Sequence, residues 1–221
     1  MIAPVVPLIS LLIKGFIIGV VVSAPMGPVG ILCVQRTLNK GRWYGFVTGL
    51  GASISDIAYA LLTGYGMSFI FDFVNTNFLL LQLIGSVLLL AFGVYTFRTN
   101  PTKSMRPTSN NKGTYFHNFL TALIVTLSNP LIIFLFIGFF ARFAFVLPEI
   151  PAGEQMLGYM GILAGALTWW FGITFCVNKL RKGFSVQSIR TINRVIGIVV
   201  IVVAVFGVYF TLTGTSVLYQ H

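Results

Sequence analysis

Six runs of about twenty or more mostly apolar residues dominate this chain and constrain its fold more than any other feature. They cover residues 8–34, 44–64, 78–97, 118–146, 157–177 and 195–213. A helix rises 1.5 Å per residue, so crossing a hydrocarbon core about 30 Å thick takes about 20 such residues. Six spans use more than half of the 221 residues and leave no room for a soluble domain. Composition agrees. Only 8% of residues are charged and mean hydropathy is +0.93, against about 25% charged in a typical soluble domain. So few charges cannot clothe a soluble surface, and so apolar a chain is not disordered.

The net charge of +10, from 14 Lys+Arg against 4 Asp+Glu, could suggest nucleic acid. Its placement argues otherwise. Arg36, Lys40 and Arg42 follow the first run, and Arg98, Lys103, Arg106 and Lys112 follow the third. Lys179, Arg181, Lys182, Arg190 and Arg194 follow the fifth. Asp72, Glu149 and Glu154 lie after the second and fourth runs, with Arg142 near the end of the fourth. Twelve of the 14 basic residues thus sit in alternate loops, which the positive-inside rule puts in the cytoplasm. Both termini then face outward, as an even number of spans requires. The first run is expected to be retained: it lacks a basic leader segment and Lys14 interrupts it, although Val22-Ser23-Ala24 weakly resembles a cleavage site.

Residues 98–117, rich in Pro, Ser, Asn, Thr and Lys, read as a flexible cytoplasmic linker. It separates two halves of three spans, residues 1–97 and 118–221. Halves with an odd number of spans enter the membrane in opposite senses, so similarity between them implies inverted repeats, a transporter architecture. The first run is broken at Pro25-Met26-Gly27-Pro28, and the fourth, its counterpart, at Ser128-Asn129-Pro130. Proline removes a backbone donor and frees carbonyls. Irregular backbone at membrane depth is tolerated only where protein or a watery cavity covers it, so paired breaks point to a substrate site. The second spans match as well. Gly45, Gly49, Ala52, Asp56 and Tyr59 step along one face, as do Gly158, Gly161, Gly165, Thr168/Trp169 and Gly172. Small residues at this step let helix backbones approach closely.

Asp56 is the only acid inside any span. It lies thirteen residues beyond Trp43, which marks the cytoplasmic interface, and so about 20 Å deep. A carboxylate there costs at least about 2.5–3.5 kcal/mol. Two readings stand: Asp56 binds a proton or the cationic group of a substrate, or it is a neutral carboxyl bonded to Ser53, Ser55 or a neighbouring helix. Asn129 offers donors and acceptors to a substrate or ion, or caps the helix that follows. Of Trp169 and Trp170, one is expected in the pathway, with packing as the alternative. Arg36 reads as a topology anchor, Lys14 as a side chain snorkelling outward, and His117 as a residue of the basic loop. Cys33 and Cys176 show no CxxC spacing and the two His are far apart, so neither a disulfide framework nor a metal or cofactor site is expected.

In the order and spacing of these elements the chain resembles the lysine-exporter type (LysE/RhtB) translocators over nearly its whole length. Pro25-Met26-Gly27-Pro28 is similar to that family's Pro-Gly-Pro element, with one residue inserted before the glycine. The run from Asn39 to Phe46 is similar to its basic Gly-Arg turn, and Asp56 falls where the family commonly has Asp. Asn129-Pro130 resembles its Asn-Pro element, although Leu131 and Ile132 follow where members often carry Lys. Trp169-Trp170 and the run from Ile192 to Gly197 resemble its helix-five aromatics and closing Asn-Arg-x-x-Gly. The resemblance implies a non-enzymatic secondary transporter in the bacterial inner (cell) membrane, exporting amino acids or related solutes and driven by protons.

The sequence thus predicts an all-α integral membrane protein of six transmembrane helices in two inverted three-helix repeats, broken at proline in helices 1 and 4. Its candidate substrate- or proton-binding residues are Asp56, Pro25, Gly27, Pro28, Asn129, Pro130 and Trp169. Expected partners are membrane lipid, a small-molecule substrate and protons, with room for a homo-oligomer and no role for nucleic acid. Two other readings are kept. One is a metal-cation exporter, for which a single carboxylate and no intramembrane His make a poor site. The other is a transmembrane electron carrier using Cys33 and Cys176.

Overall fold

The computed structural model of the protein describes residues 5–69, 78–99, 113–129, 131–146, 150–180 and 186–213. Eight helices and no strand occur among them. They are α1 (Val5–Ser23), α2 (Pro28–Lys40), α3 (Arg42–Phe69) and α4 (Phe78–Arg98), then α5 (Tyr115–Leu127), α6 (Leu131–Phe143), α7 (Ala152–Lys179) and α8 (Val186–Leu212). Four of these, α3, α4, α7 and α8, are each long and apolar enough to cross a membrane alone. The pairs α1–α2 and α5–α6 are bent by 78° and 70°. Counting each pair as one span gives the six expected from hydropathy.

The breaks follow from local chemistry. Pro28 occupies the first turn of α2, where its missing N–H costs nothing. Gly27 precedes it in an extended conformation, its N–H bonded back to the Pro25 carbonyl at 2.8 Å. At the other end of α2, Gly41 takes φ 110°, a left-handed conformation that favours glycine. This turns the chain directly into α3. Pro130, most of the linker, and the loop residues Asp72, Lys103, Arg106, Lys112, Glu149, Arg181 and Lys182 lie outside the described residues. His117 belongs to the first turn of α5 rather than to a loop, and its N–H donates to the capping Thr114 hydroxyl.

The two halves are interleaved. α1 packs most extensively on α7, and α3 packs on α5. At the first interface the glycine stripe of α7 meets main chain: a Cβ at Gly161 would collide with the Leu12 carbonyl, and one at Gly165 with that of Phe16. α4 lies along α8, α4 also meets α6, and α3 meets α7. Two apolar clusters result. One gathers Phe136, Phe139, Phe140, Phe145 and Tyr159 around α6. The other holds Met26, Cys33, Ala52, Trp170, Val177 and Ile189.

Candidate functional site

Between the two clusters lies a cavity of about 270 Å³ to which all eight helices contribute wall, Asn193 standing for α8 just before the predicted sixth run. Both breaks open onto it. Pro25, Gly27 and Pro28 line it from the first, Asn129 from the second, and Asp56 from the middle of α3. The stripe predicted on α3 places these parts in succession. Gly45 lies against Thr37 of α2, and Gly49 makes room for the Trp170 ring of α7. Ala52 and Asp56 then reach the cavity, and the Tyr59 hydroxyl donates to the Leu127 carbonyl at the end of α5.

Asp56 is 4% exposed. Its Oδ2 accepts a hydrogen bond from the Ser23 hydroxyl at 2.9 Å, across from the last residue of α1. Ser53 and Ser55 do not serve it. Ser53 donates to the Gly49 carbonyl, and Ser55 to those of Gly51 and Leu123. Asn193 of α8, 1% exposed, accepts the Met26 N–H on its Oδ1 at 2.8 Å and so holds the first break to the sixth span. Asn129 caps α6, its Oδ1 accepting the Leu131 N–H at 3.3 Å while its carbonyl accepts that of Ile132. The two half-helix N-termini therefore differ. That of α6 is occupied by Asn129, whereas that of α2 has Gly27 at its cap and no side-chain hydrogen bond.

Of the residues singled out in the sequence, five meet at this cavity. Pro130 lies outside the described residues. Trp169 packs against the second cluster, and its neighbour Trp170 is the one that lines the wall. Ser23, Thr96, Thr126 and Asn193 also line it and were not predicted as site residues. Ser23 sits two residues before the double-proline break, and Asn193 lies in the closing motif, so each carried a weak signal. Threonines in apolar helices usually bond their own backbone and carried none.

Arg36, read from the sequence as a topology anchor, is bonded inside the protein. It is 5% exposed, and its Nη1 donates to the Thr48 hydroxyl at 3.0 Å and the Asn118 carbonyl at 2.8 Å. It ties α2 to α3 and α5. Cys33 is buried, with its thiol donating to the Gly45 carbonyl, while Cys176 is exposed; both are free. Among the described residues no group of three or more His, Cys, Asp or Glu side chains is placed to hold a metal. Among the described residues neither the metal nor the electron-carrier reading gains a structural feature in its favour.

Comparison with known proteins places this geometry. The family model described as "LysE type translocator" matches residues 20–211. The chain is 27% identical over 208 residues to a Bacillus subtilis (strain 168) protein named "Putative amino acid efflux protein YcgF", covering 93% of this chain and 97% of that protein. It is also 27% identical over 179 residues to the "Uncharacterized membrane protein YahN" of Escherichia coli (strain K12), covering 80% and 79% respectively. No solved structure matches it. A match over most of the chain, across a stretch that holds both breaks and Asp56, means that this multi-pass membrane protein is a transporter rather than an enzyme and belongs to the LysE type translocator family.

Proposed function

We propose that the protein exports amino acids or related small zwitterionic solutes from the cytoplasm by proton antiport. The observation that carries this is the convergence of both helix breaks and the buried Asp56 on a single cavity. At about 270 Å³ it falls just below the ~300–1,000 Å³ of pockets that take drug-sized ligands, and so suits a smaller solute. The name of the Bacillus subtilis relative supports the same substrate class. Asp56 takes the amino group or a proton, and the two exchange because one carboxylate cannot serve both at once. Pro25, Gly27, Pro28 and Asn129 shape the breaks around it, and Trp170 closes the α7 side.

The halves 1–97 and 118–221 act as inverted repeats around this site. The packing of α1 on α7 becomes that of α5 on α3 when the halves are exchanged, and the two bends are of similar size, which supports the relation. Rocking of one half against the other then gives alternating access. The protein sits in the bacterial inner membrane with its basic loops in the cytoplasm and both termini outside.

The test uses purified protein in liposomes, an imposed pH gradient and a panel of labelled amino acids. Gradient-driven movement of at least one amino acid is expected, and Asp56→Asn should abolish it while the protein stays in the membrane. Wild-type rates with Asp56→Asn, or no response to the gradient by any amino acid, would overturn the proposal.

A further inference from the structure

Building on the reading of the chain as an amino-acid exporter, we infer that its cargo is a neutral amino acid, with one ammonium, one carboxylate and an uncharged side chain. The ammonium sits at Asp56. The carboxylate is received by the first turn of α2 together with the Trp170 indole N–H.

Charge carries the first part of the argument. Among the described residues, Asp56 is the only charged side chain in the cavity wall, and no described Lys, Arg or His lines it. A dibasic amino acid brings a second cation that would meet no second anion. An acidic one brings a second carboxylate that would meet no cation. Either would leave an unpaired charge away from water, which is strongly disfavoured unless it is paired. With the α-ammonium paired to Asp56 and the carboxylate held by the α2 N-terminus, only a solute with no further charge leaves none without a partner.

Unfilled hydrogen-bonding capacity carries the second part. Thr96 Oγ1, Thr126 Oγ1 and Trp170 Nε1 are buried and make no hydrogen bond, and all three residues line this one cavity. They are 2%, 4% and 3% exposed. Buried polar groups are ordinarily satisfied, so the three residues that carry these groups in one wall are the candidates for meeting a ligand's polar atoms. The indole N–H can only donate and so calls for an acceptor such as a carboxylate. The α2 N-terminus favours the same group. Val29 and Gly30 of its first turn line the cavity, and no side chain caps it. The α6 terminus is closed to a carboxylate because Asn129 already occupies it. Asp56 and the α2 terminus thus give the solute a direction. Val22, Phe92, Val125, Ile132 and Leu135 supply the apolar remainder of the wall for its side chain.

The experiment is counterflow exchange by the purified full-length protein in liposomes, with labelled leucine, threonine, lysine, arginine and glutamate. Leucine or threonine should exchange, with the three charged amino acids at least about a hundredfold slower. Trp170→Phe keeps the ring and removes the N–H, and should raise half-saturation for the neutral substrate about tenfold or more. The same variant should leave inhibition by isoamylamine, which keeps the ammonium and the branched side chain but has no carboxylate or other acceptor, unchanged. Lysine, arginine or glutamate exchanging as fast as the neutral pair would overturn this inference and leave amino-acid export standing. Failure of all five to exchange, with monodisperse protein in the liposomes, would defeat the exporter reading itself. Equal effects of Trp170→Phe on leucine and isoamylamine, or no effect on either, would overturn the carboxylate's placement.

Discussion

Two asparagines of equal burial make a sharp test of what holds the first break in place. Asn193 is 1% exposed and accepts the Met26 N–H at 2.8 Å, and Met26 is itself 1% exposed. Asn118 is 0% exposed, yet neither its Oδ1 nor its Nδ2 has a partner. Replacing each by alanine removes the same atoms from equally buried places, so the packing losses should be similar. The polar losses differ. Asn193→Ala strands a buried backbone N–H, at a cost of about 1–3 kcal/mol, whereas Asn118→Ala deletes an amide that already lacked partners. For a chain of this size about 1 kcal/mol moves the melting temperature by about 2–4 °C, so a difference near 2 kcal/mol separates the variants by about 4–8 °C. Thermal unfolding in one detergent, followed by circular dichroism and a dye reporting exposed thiols, measures it. Asn193→Ala should melt several degrees lower than Asn118→Ala. If Asn118→Ala proves the more damaging, the Asn193 bond does not hold the break.

Other outcomes follow from the same geometry. Gly161→Ala should cost about 1–3 kcal/mol by overpacking against the Leu12 carbonyl, while Gly172→Ala, with nothing within 4 Å of its new Cβ, should be neutral or slightly stabilising. Melting temperatures of the two single variants check this. Tyr59→Phe removes the donor to the Leu127 carbonyl and should lower stability by about 1–2 kcal/mol, measurable by the same unfolding assay. Arg36→Met should loosen α2 from α3 and α5, seen as faster proteolysis in liposomes, with Arg36→Lys intermediate because one ammonium reaches fewer acceptors than a planar fork. Alkaline phosphatase fused after residue 221 should be active and green fluorescent protein there dark, as the positive-inside rule requires. The reverse would invert the orientation.

Hydropathy made the spans legible because a bilayer demands long apolar runs whatever the fold. The breaks were legible because proline cannot continue a helix. Asp56 stood out because ionisable residues at that depth are rare. Less could be read where the deciding partner is distant in sequence. Nothing around Asn193 says that its acceptor reaches Met26, 167 residues away. The choice between Trp169 and Trp170 turns on the rotation of α7, and a helix apolar on its lipid and protein sides alike gives little phase. Ser53 and Ser55 lie close to Asp56 in sequence, but their hydroxyls turn back to the carbonyl one turn earlier, as serine in a helix often does. Asn129 could be read as ligand or cap, and only the position of the Leu131 N–H separates the two.

The interleaving of the halves also governs how the chain must be born. The backbone groove of α1 at Gly15 fits against Gly158 of α7, which leaves the ribosome some 140 residues later. At about 5–20 residues per second, α1 waits roughly 7–30 s in lipid with its closest-fitting surface unmatched. Its two glycines there, Gly15 and Gly19, leave a shallow face that neighbouring nascent helices could occupy. A chain built this way completes its closest interface only once its fifth span has been made.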